Sequence, residues 1–403
     1  MDLRPKVKNP RSRQILRSAL NVAILVAIFI IGMNVGNGRL DWHRNQPVSK
    51  DLPAKLNYET VNDVYEALKT NYDGKLTQAQ LENGLKHGLA ASTNDPYTSY
   101  FTAKEAKDFN DQLNNSFSGI GAQLGKDKEG NLEVIAPIDG LPADKAGIQA
   151  KDIIASVNGT STSGMSVDDA VSRIRGPKGT KVKLQIVRNY AEALSFTITR
   201  QDINLPSVKT KILDGNIGYL QITSFSNDTV ELAQKAAEDF KQKNVKGIIL
   251  DMRDNPGGLL EASIKVSSLW LSQGSKILDE KQGSTIIDTD NAIGGNILSG
   301  IPTVVLINSG SASASEITAG ALHDNKAAYI IGEKSYGKGV VQQLVNFGDG
   351  SQLKVTVASW YRPNGQNINK QGIKPDKTIK PTETEVKADI DSQLQAAQDY
   401  LKR

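Results

Sequence analysis

The hydrophobic positions of this chain change their spacing along its length, and each change predicts a different kind of structure. Residues 18–38 hold no charged side chain across 21 positions and are almost wholly aliphatic between 22 and 31. A helix that spans a bilayer needs about 20 apolar residues, so this stretch predicts one transmembrane helix. Residues 39–56 are polar and contain proline, which predicts a tether.

Residues 57–115 have the spacing of amphipathic helices. Apolar side chains recur at intervals of three and four, for example at Val61, Val64 and Leu68. A capping box formed by Thr102 and Glu105 predicts the start of a further helix. We therefore predict an N-terminal helical region over this range.

The pattern then changes to shorter runs. Residues 116–201 predict short strands with two helices, one near 142–146 and one at 166–174. Residues 202–380 alternate apolar strands with helical stretches, which is typical of parallel βαβ units.

Near the end, runs at 340–345 and 353–360 predict a hairpin, and residues 381–403 predict a polar amphipathic C-terminal helix. The predicted fold class is α/β and multidomain, with an N-terminal transmembrane helix, a helical arm, a mixed β domain with two helices and a βαβ-type core.

Charge is concentrated ahead of the apolar stretch. The chain of 403 residues has a net charge of only +4, but its first 17 residues hold six basic side chains and one acid. A basic tail in this position predicts membrane orientation better than nucleic-acid binding, with residues 1–17 in the cytoplasm and everything after the span outside. A cleaved signal peptide is the alternative, but no Ala-x-Ala pattern follows the span. The chain has no cysteine, which excludes a lipid-modified terminus, disulfides and thiolate-metal sites.

A serine-rich turn offers a candidate nucleophile. Residues 308–316 read NSGSASASE, follow an apolar strand and open an apolar helix. Ser313 and Glu316 match a capping box, so Ser313 can be a simple N-cap. Ser313 can equally be a nucleophile, because small neighbours let a substrate backbone approach and a helix N-terminus supplies N–H donors to an oxyanion.

The three histidines are poorly placed to serve as its base. His43 lies in the tether and His87 in the helical region. His323 lies ten residues beyond Ser313 on one helix, about 15 Å away, and is expected to be a helix-end residue.

Lysine is the alternative base. Lys338 lies between two glycines, after one predicted strand and before another. Its pKa, about 10.4 in a free side chain, must fall by about 3 units for work near pH 7, and burial can achieve this. The same stretch nearly matches a nucleotide-binding P-loop, but glycine and two valines follow where that loop needs Ser or Thr and a helix.

Short motifs within residues 116–201 together resemble a PDZ domain of the bacterial protease-associated type. They read FSGIG (117–121), PADKAGI (142–148), DII (152–154), VNG (157–159) and IRG (174–176). In PDZ domains a glycine-containing loop receives a C-terminal carboxylate, and the bound peptide adds as an extra strand. The resemblance assigns that loop to Phe117, Ser118, Gly119, Ile120 and Gly121. Arg175 is either a second contact with the bound tail or a solvated helix-end arginine.

Three further motifs resemble the C-terminal processing peptidases, also called tail-specific proteases. They read DMRDNPGG (251–258), SGSASASE (309–316) and GEKSYGKGVVQ (332–342), and DPYTSY (95–100), Gly365 and GIKPD (372–376) match as well. The likeness runs from about residue 57 to residue 380. It departs at Asp254, where the family more often has glycine and where an extra acid could shift substrate preference.

The resemblance implies a role for each matching residue. Ser313 is the nucleophile, Lys338 the base, and Gln342 the residue that orients the lysine. The oxyanion hole uses the backbone N–H of Ala314 and one from Gly257 or Gly258.

Taken together, the resemblance implies a membrane-anchored serine endopeptidase with a PDZ domain at 116–201 and a peptidase core at 202–380. It hydrolyses peptide bonds of extracytoplasmic proteins through an acyl-enzyme and selects substrates by free apolar C-termini. We expect a homo-oligomer, since the helical arm and C-terminal helix resemble segments used for dimerisation, and no cofactor, metal or nucleic acid. Two rival functions remain at this point, a non-enzymatic tethered scaffold and a hydrolase that uses the same dyad on another amide or ester.

Overall fold

The computed structural model describes residue 53 and residues 55–114, 116–388 and 390–402. The predicted transmembrane segment, residues 18–38, and most of the tether lie outside these residues. Within the part that is described, no helix combines the length and apolar character needed to cross a bilayer. The chain divides into two units, residues 1–75 and 76–403. The first contains helix α1 (Glu59–Asn71), which has no buried residue.

The second unit begins with the rest of the predicted helical region. It forms α2 (Gln78–Ala91), the short strand β1 (Ser99–Phe101) and α3 (Ala103–Leu113). The capping box of α3 is confirmed, because the Thr102 and Glu105 side chains each bind the other's backbone N–H. Strand β1 pairs antiparallel with a strand about 250 residues later in the chain, a pairing that no local pattern predicts.

The next elements form a mixed β domain with two helices, as predicted. Its sheet has the order β3-β4-β5-β7-β8, with β6 beside β5. The strands are β3 (Ala122–Lys126), β4 (Leu132–Pro137), β5 (Ile153–Val157), β6 (Thr160–Ser161), β7 (Lys181–Arg188) and β8 (Glu192–Thr199), and the helices are α4 (Pro142–Lys145) and α5 (Val167–Ile174). Strand β3 lies at the edge of the sheet and contacts α5.

A two-stranded ribbon connects this domain to the rest of the unit. The chain enters through β2 (Ser116–Gly119) and leaves through β9 (Gln201–Asn204), and these strands pair antiparallel with each other. Most of the segment predicted as the carboxylate loop therefore forms a strand. Only Ile120 and Gly121 lie between β2 and β3.

The core is a six-stranded sheet of order β10-β11-β12-β15-β16-β19, parallel except for its first pair. Its elements alternate as predicted for βαβ units. They are β10 (Val208–Leu213), β11 (Ile217–Ile222), α6 (Thr229–Gln242), β12 (Gly247–Asp251), α7 (Leu260–Ser267), β15 (Thr303–Ile307), α8 (Ala314–Asp324), β16 (Tyr329–Gly332) and β19 (Lys377–Thr378).

Both faces of this sheet are covered, which explains why the middle positions of its central strands are consecutive apolar residues. Ile248 and Leu250 pack with α6, α7 and α8, whereas Ile249 faces the opposite side with Ala397 of the last helix. Strands β12 and β15 are buried at all five positions. The carboxyl ends of these parallel strands meet at one edge, where loops can bring polar side chains together.

A second sheet has the order β1-β18-β13-β14, with β17 also paired to β18. The hairpin of β17 (Val340–Asn346) and β18 (Gln352–Tyr361) confirms the predicted one. The hairpin of β13 (Lys276–Gln282) and β14 (Thr285–Asn291) was not predicted, because these strands are largely polar and β14 is mostly exposed.

The C-terminal region is two helices rather than one. Helix α9 (Glu383–Lys387) is followed by α10 (Ser392–Leu401), whose N-cap Asp391 accepts from the Leu394 N–H at 2.9 Å. Asp391 also binds Arg253 at 2.8 Å, which ties the start of α10 to the loop after β12. The N-cap at Asp391 and this tertiary contact mark a new helix start that the amphipathic pattern did not reveal.

Candidate active site

Ser313 stands at the junction between a turn and helix α8. Its backbone has φ 53° and ψ −115°, a region that residues with a side chain rarely adopt. Such strain persists only where neighbours hold it, and it concentrates at functional sites. The neighbouring serines provide that support, because Ser311 Oγ donates to the Met252 carbonyl at 2.7 Å and Ser315 Oγ donates to the Asn255 carbonyl at 2.9 Å.

Two glycines let the 251–258 loop approach the serine closely. Gly257 has φ 101°, and a Cβ there would lie 2.8 Å from the Ser313 Cβ. Gly258 has φ 140°, and a Cβ there would lie 2.1 Å from the Phe225 carbonyl oxygen. Neither position accommodates a side chain.

The hydrogen bonds of this loop separate the two candidate oxyanion donors. The Gly257 N–H already donates to the Asn255 side-chain oxygen at 2.9 Å. Within the described residues, the N–H groups of Gly258 and Ala314 have no acceptor, and both residues line the same cavity as Ser313. The geometry therefore favours Gly258 over Gly257 as the partner of Ala314.

Asp254, where the sequence departs from the family pattern, has φ 57°. That left-handed conformation suits glycine, and aspartate tolerates it when its side chain bonds locally. Asp254 exchanges two hydrogen bonds of 2.8 Å with the Asn308 side chain. It therefore links the 251–258 loop to the turn before Ser313, and it is not among the residues that line the cavity.

Lys338 lies on the segment between β16 and β17, and its flanking glycines serve close packing. A Cβ on Gly337 would lie 2.7 Å from the Gly372 nitrogen, and one on Gly339 would lie 2.5 Å from the Asn369 nitrogen. The Lys338 carbonyl accepts from the Trp360 indole N–H at 3.0 Å. A strand rather than a helix follows, which agrees with rejecting the P-loop.

The surroundings of the Lys338 ammonium favour loss of its proton. Burial, and then repulsion by Lys354, lower the pKa of Lys338, while Asp95 and Glu316 oppose this change. The Tyr97 ring, whose centroid lies 5.2 Å from the Lys338 Nζ, also favours the charged amine and therefore opposes this change. The direction of the pKa shift is the one that a lysine base requires.

Glu316 joins the serine and lysine segments. Its buried carboxylate accepts the backbone N–H groups of Ser313 and Lys338, each at 2.9 Å. It also accepts the Gly337 N–H at 2.7 Å and the Ser335 hydroxyl. Burial raises the pKa of Glu316 and these four hydrogen bonds oppose the rise. Three of the four donors are backbone N–H groups that can only donate, so they favour the ionised form of the carboxyl.

Ser313 and Lys338 both line a cavity of about 510 Å³. Most of its remaining lining is apolar, as at Ile317, Leu344 and Trp360. Gln342 also lines it, at a register shift in the pairing of β17 with β18, and its side-chain nitrogen is buried without a hydrogen-bond partner among the described residues. The cavity can therefore hold an apolar side chain beside a hydroxyl and an amine.

The histidines that the structure describes lie elsewhere. His323, at the far end of α8, contacts Asp324 and Asp376 at 3.1 and 3.0 Å. His87 packs edge-on against Tyr100. Neither lines the cavity of Ser313, and His43 lies outside the described residues.

The residues predicted for tail binding are not in this cavity. Ser118 and Gly119 belong to β2, and Ile120 is buried in the core of the mixed β domain. Gly121 has φ 73°, and a Cβ there would lie 2.5 Å from Leu141. Arg175 is the C-cap of α5, and its backbone N–H donates to the Val171 carbonyl.

Three residues of the site were missed as functional candidates. Asp95 and Tyr97 lie in the DPYTSY segment, which was noted only for its likeness to the family, and Lys354 was not singled out. The Asp95 carboxylate accepts from the Thr98 and Thr356 hydroxyls, which holds this segment against β18. The motif itself was the available signal for Asp95 and Tyr97, whereas Lys354 had none.

Two parts of the chain match known protein families. Residues 216–379 match peptidase family S41, and residues 108–187 match the PDZ domain. The carboxy-terminal processing protease CtpA of Bacillus subtilis (strain 168) is 41% identical over 323 residues, which cover 79% of this chain and 68% of that protein.

Two solved protease structures also resemble this chain. The photosystem II D1 C-terminal processing protease is 30% identical with a TM-score of 0.50, over 80% of this chain and 89% of that one. A putative S41 protease from Bacteroides fragilis NCTC 9343 has the same fold, with a TM-score of 0.54 at 17% identity over 87% of this chain and 99% of that one.

The fold and the comparisons define the class as serine-type peptidases that carry a PDZ domain. Within that class, the chain belongs to peptidase family S41 and is a C-terminal processing serine protease, as its sequence predicts.

Proposed function

We propose that the protein is a membrane-anchored endopeptidase that cleaves extracytoplasmic proteins with a Ser313–Lys338 dyad. One observation carries the dyad: both residues line one cavity, and Glu316 binds the backbone N–H of each. A buried clamp of this kind fixes the two backbones relative to each other, which reacting groups need.

In the proposed reaction, neutral Lys338 takes the proton of Ser313 Oγ as that oxygen bonds to the substrate carbonyl carbon. The oxyanion accepts hydrogen bonds from the backbone N–H groups of Ala314 and Gly258. The C–N bond then breaks, and the leaving amine receives the proton from Lys338, which leaves an acyl-enzyme. Water repeats these steps with Lys338 as base, releases the acid and regenerates Ser313.

Gln342 is proposed to orient the base. Its side-chain nitrogen lacks a partner within the described residues. A neutral amine can accept one hydrogen bond, so this amide group can hold the Lys338 Nζ when it is unprotonated. The same bond would be lost when the amine is protonated, which favours the reactive form.

The dyad is tested with the full chain and an apolar peptide substrate. Ser313→Ala should abolish cleavage with little change in stability, and Lys338→Arg should be as inactive as Lys338→Ala, because arginine keeps its proton. The matched controls, Ser309→Ala and Lys334→Arg, change exposed residues of the same two segments and should stay active. A mass increment on Ser313 during turnover would identify the acyl-enzyme. An active Lys338→Arg variant would end the dyad proposal, and turnover of esters but not of peptides would favour a different hydrolase.

Selection by substrate tails is proposed for the PDZ domain. Strand β3 has a free edge and lies beside α5, so an extended peptide can add between them. Amidating a substrate's C-terminus removes the charge that the 117–121 segment would receive, and cleavage should fall about tenfold to a hundredfold because charge-assisted bonds contribute about 1.5–3 kcal/mol. Equal rates on free-acid and amide peptides would argue against tail reading. Arg175→Ala tests the second contact, because it should erase the preference or silence the enzyme.

Membrane anchoring rests on the sequence of residues 1–38. Six basic side chains precede 21 uncharged positions, which supports a single span with its N-terminus in the cytoplasm. External protease added to spheroplasts should then digest the catalytic region, whereas a tag at the N-terminus should be protected. Release of the full-length protein by high salt alone would contradict an integral anchor.

Homo-oligomerisation is supported by α1. Its apolar side chains Val61, Val64, Tyr65 and Leu68 are all exposed, although they recur at helical intervals. Sedimentation of the detergent-solubilised protein should show an oligomer that Val64→Glu disrupts. Glu66→Gln, a polar change on the same helix, is the control. A monomeric wild-type protein would exclude this role.

A further inference from the structure

Lys354 places a second ammonium group in the wall of the reaction cavity. It lies within β18, paired with Leu344 of β17 on one side and with Ser99 of β1 on the other. It lines the cavity together with Ser313 and Lys338. A strand paired on both sides is a rigid support, so the backbone of Lys354 is fixed relative to the dyad.

The Lys354 ammonium rests on aromatic rings rather than on a carboxylate. Its Nζ lies 5.4 Å from the ring centroid of Phe101 and 5.2 Å from that of Phe109, and the two rings stack at 4.9 Å. Among the described residues it forms no ion pair. Ring faces stabilise the charged form of lysine. A carboxylate paired with Lys354 would stabilise the charge as well, but its negative charge would cancel the electric field of the ammonium group.

One segment, residues 97–101, supplies a ring that contacts each of the two ammonium groups. Tyr97 lies under Lys338, and Phe101, four residues later, lies under Lys354. Both lysines line the same cavity, where the largely apolar walls weaken solvent screening of the two like charges. Burial lowers the pKa of Lys354 itself, but Asp95 raises it.

The other charges around Lys338 act in the opposite direction. Asp95, from the segment before β1, and Glu316, from α8, both favour the protonated amine. The phenol of Tyr97 stays neutral near pH 7, because burial raises its pKa further above the usual value. In the described part of the chain, Lys354 is therefore the charge that offsets these two carboxylates.

We propose that Lys354 is a positioning residue that acts through its charge and keeps Lys338 unprotonated at the working pH. The proposal rests on the proposed role of Lys338 as the base. Lys354 itself makes no bond to the nucleophile Ser313. The alternative role for this ammonium group is to bind a substrate carboxylate. In that case, replacing Lys354 would raise KM without moving the pH profile.

The test is the pH profile of kcat/KM for the full chain. The substrate is one apolar-tailed peptide without charged side chains. Lys354→Met keeps the length and the packing on the rings but removes the charge. The acid limb should move to higher pH by about one unit, which is up to about a tenfold loss at neutral pH that recovers at alkaline pH. Lys354→Arg keeps the charge and should retain the wild-type limb.

Lys354→Gln provides a second neutral variant should Lys354→Met fold poorly, and thermal unfolding of each variant checks the fold. An unmoved acid limb in a folded neutral variant would overturn the proposal, as would a rise in KM alone. The Lys338→Arg variant shows whether a negative result concerns Lys354 alone or the Ser313–Lys338 dyad. If that variant is inactive while Lys354→Met leaves the limb unmoved, only the role of Lys354 fails. If Lys338→Arg is active, the dyad fails as well.

Discussion

The substitution Glu316→Gln should disable the enzyme without changing the size of any side chain. One carboxylate oxygen accepts from Ser335 and Gly337, and the other accepts from Ser313 and Lys338. A glutamine amide has one accepting oxygen, so its NH2 group must face two of these donors. The Ser335 hydroxyl can rotate and accept, but a backbone N–H cannot.

The magnitude follows from this count. One buried N–H without an acceptor costs about 1–3 kcal/mol, and the remaining bonds lose the strength that a charge confers, about 1 kcal/mol in total. The free energy of unfolding should therefore fall by about 3 kcal/mol. Because a displacement of about 1 Å at the reacting groups costs about a hundredfold in rate, kcat/KM should fall by about that factor.

Urea unfolding and peptide cleavage measure the two effects separately. Glu261→Gln is the matched control, since Glu261 also lies in the first turn of a helix but its side chain is 78% exposed. That variant should stay within about 0.5 kcal/mol of the wild type and keep its activity. A stable, fully active Glu316→Gln enzyme would refute the clamp. A destabilised but fully active one would reduce Glu316 to a purely structural role.

Three further outcomes are expected. Gly258→Ala should be inactive and less stable by about 2 kcal/mol or more, because φ 140° strains alanine and its Cβ would lie 2.1 Å from a carbonyl oxygen; a peptide assay and a urea titration check this. Asp95→Asn removes a charge that raises the pKa of Lys338, so the acid limb of kcat/KM should move to lower pH, by about one unit at most, in a pH series. Asp391→Ala leaves Arg253 with one fewer carboxylate and should lower the Tm by a few degrees in a thermal scan, and an unchanged Tm would count against the link to α10.

The sequence was most informative where local pattern and buried position agree. Strands β12 and β15 were predicted because each contains an uninterrupted apolar run, which burial on both faces of a parallel sheet favours. Ser313 and Lys338 were found as candidates because small residues surround each of them, and the structure explains those residues by close backbone approach. The hairpin of β13 and β14 escaped prediction because its polar residues have no marked periodicity.

The contacts that complete the site could not be read from local sequence. Asp95 reaches Thr356 across 261 positions of the chain, through the pairing of β1 with β18. The choice between Gly257 and Gly258 depends on a single hydrogen bond, which the Gly257 N–H donates to Asn255, and both glycines look alike in the motif. Lys354 resembles any lysine of an amphipathic strand until the rings beneath it are located.

The ribbon of β2 and β9 has an evolutionary consequence. Ser116 and Asn204 are paired across it, so the two points where the protease chain is interrupted lie about 5 Å apart. A segment whose ends meet in this way can be inserted, lost or exchanged without moving the ends of its host, since a two- or three-residue turn can bridge the gap. The PDZ domain is in this respect a replaceable cassette. Lineages that process different proteins can therefore change the cassette while the Ser313 cavity stays the same.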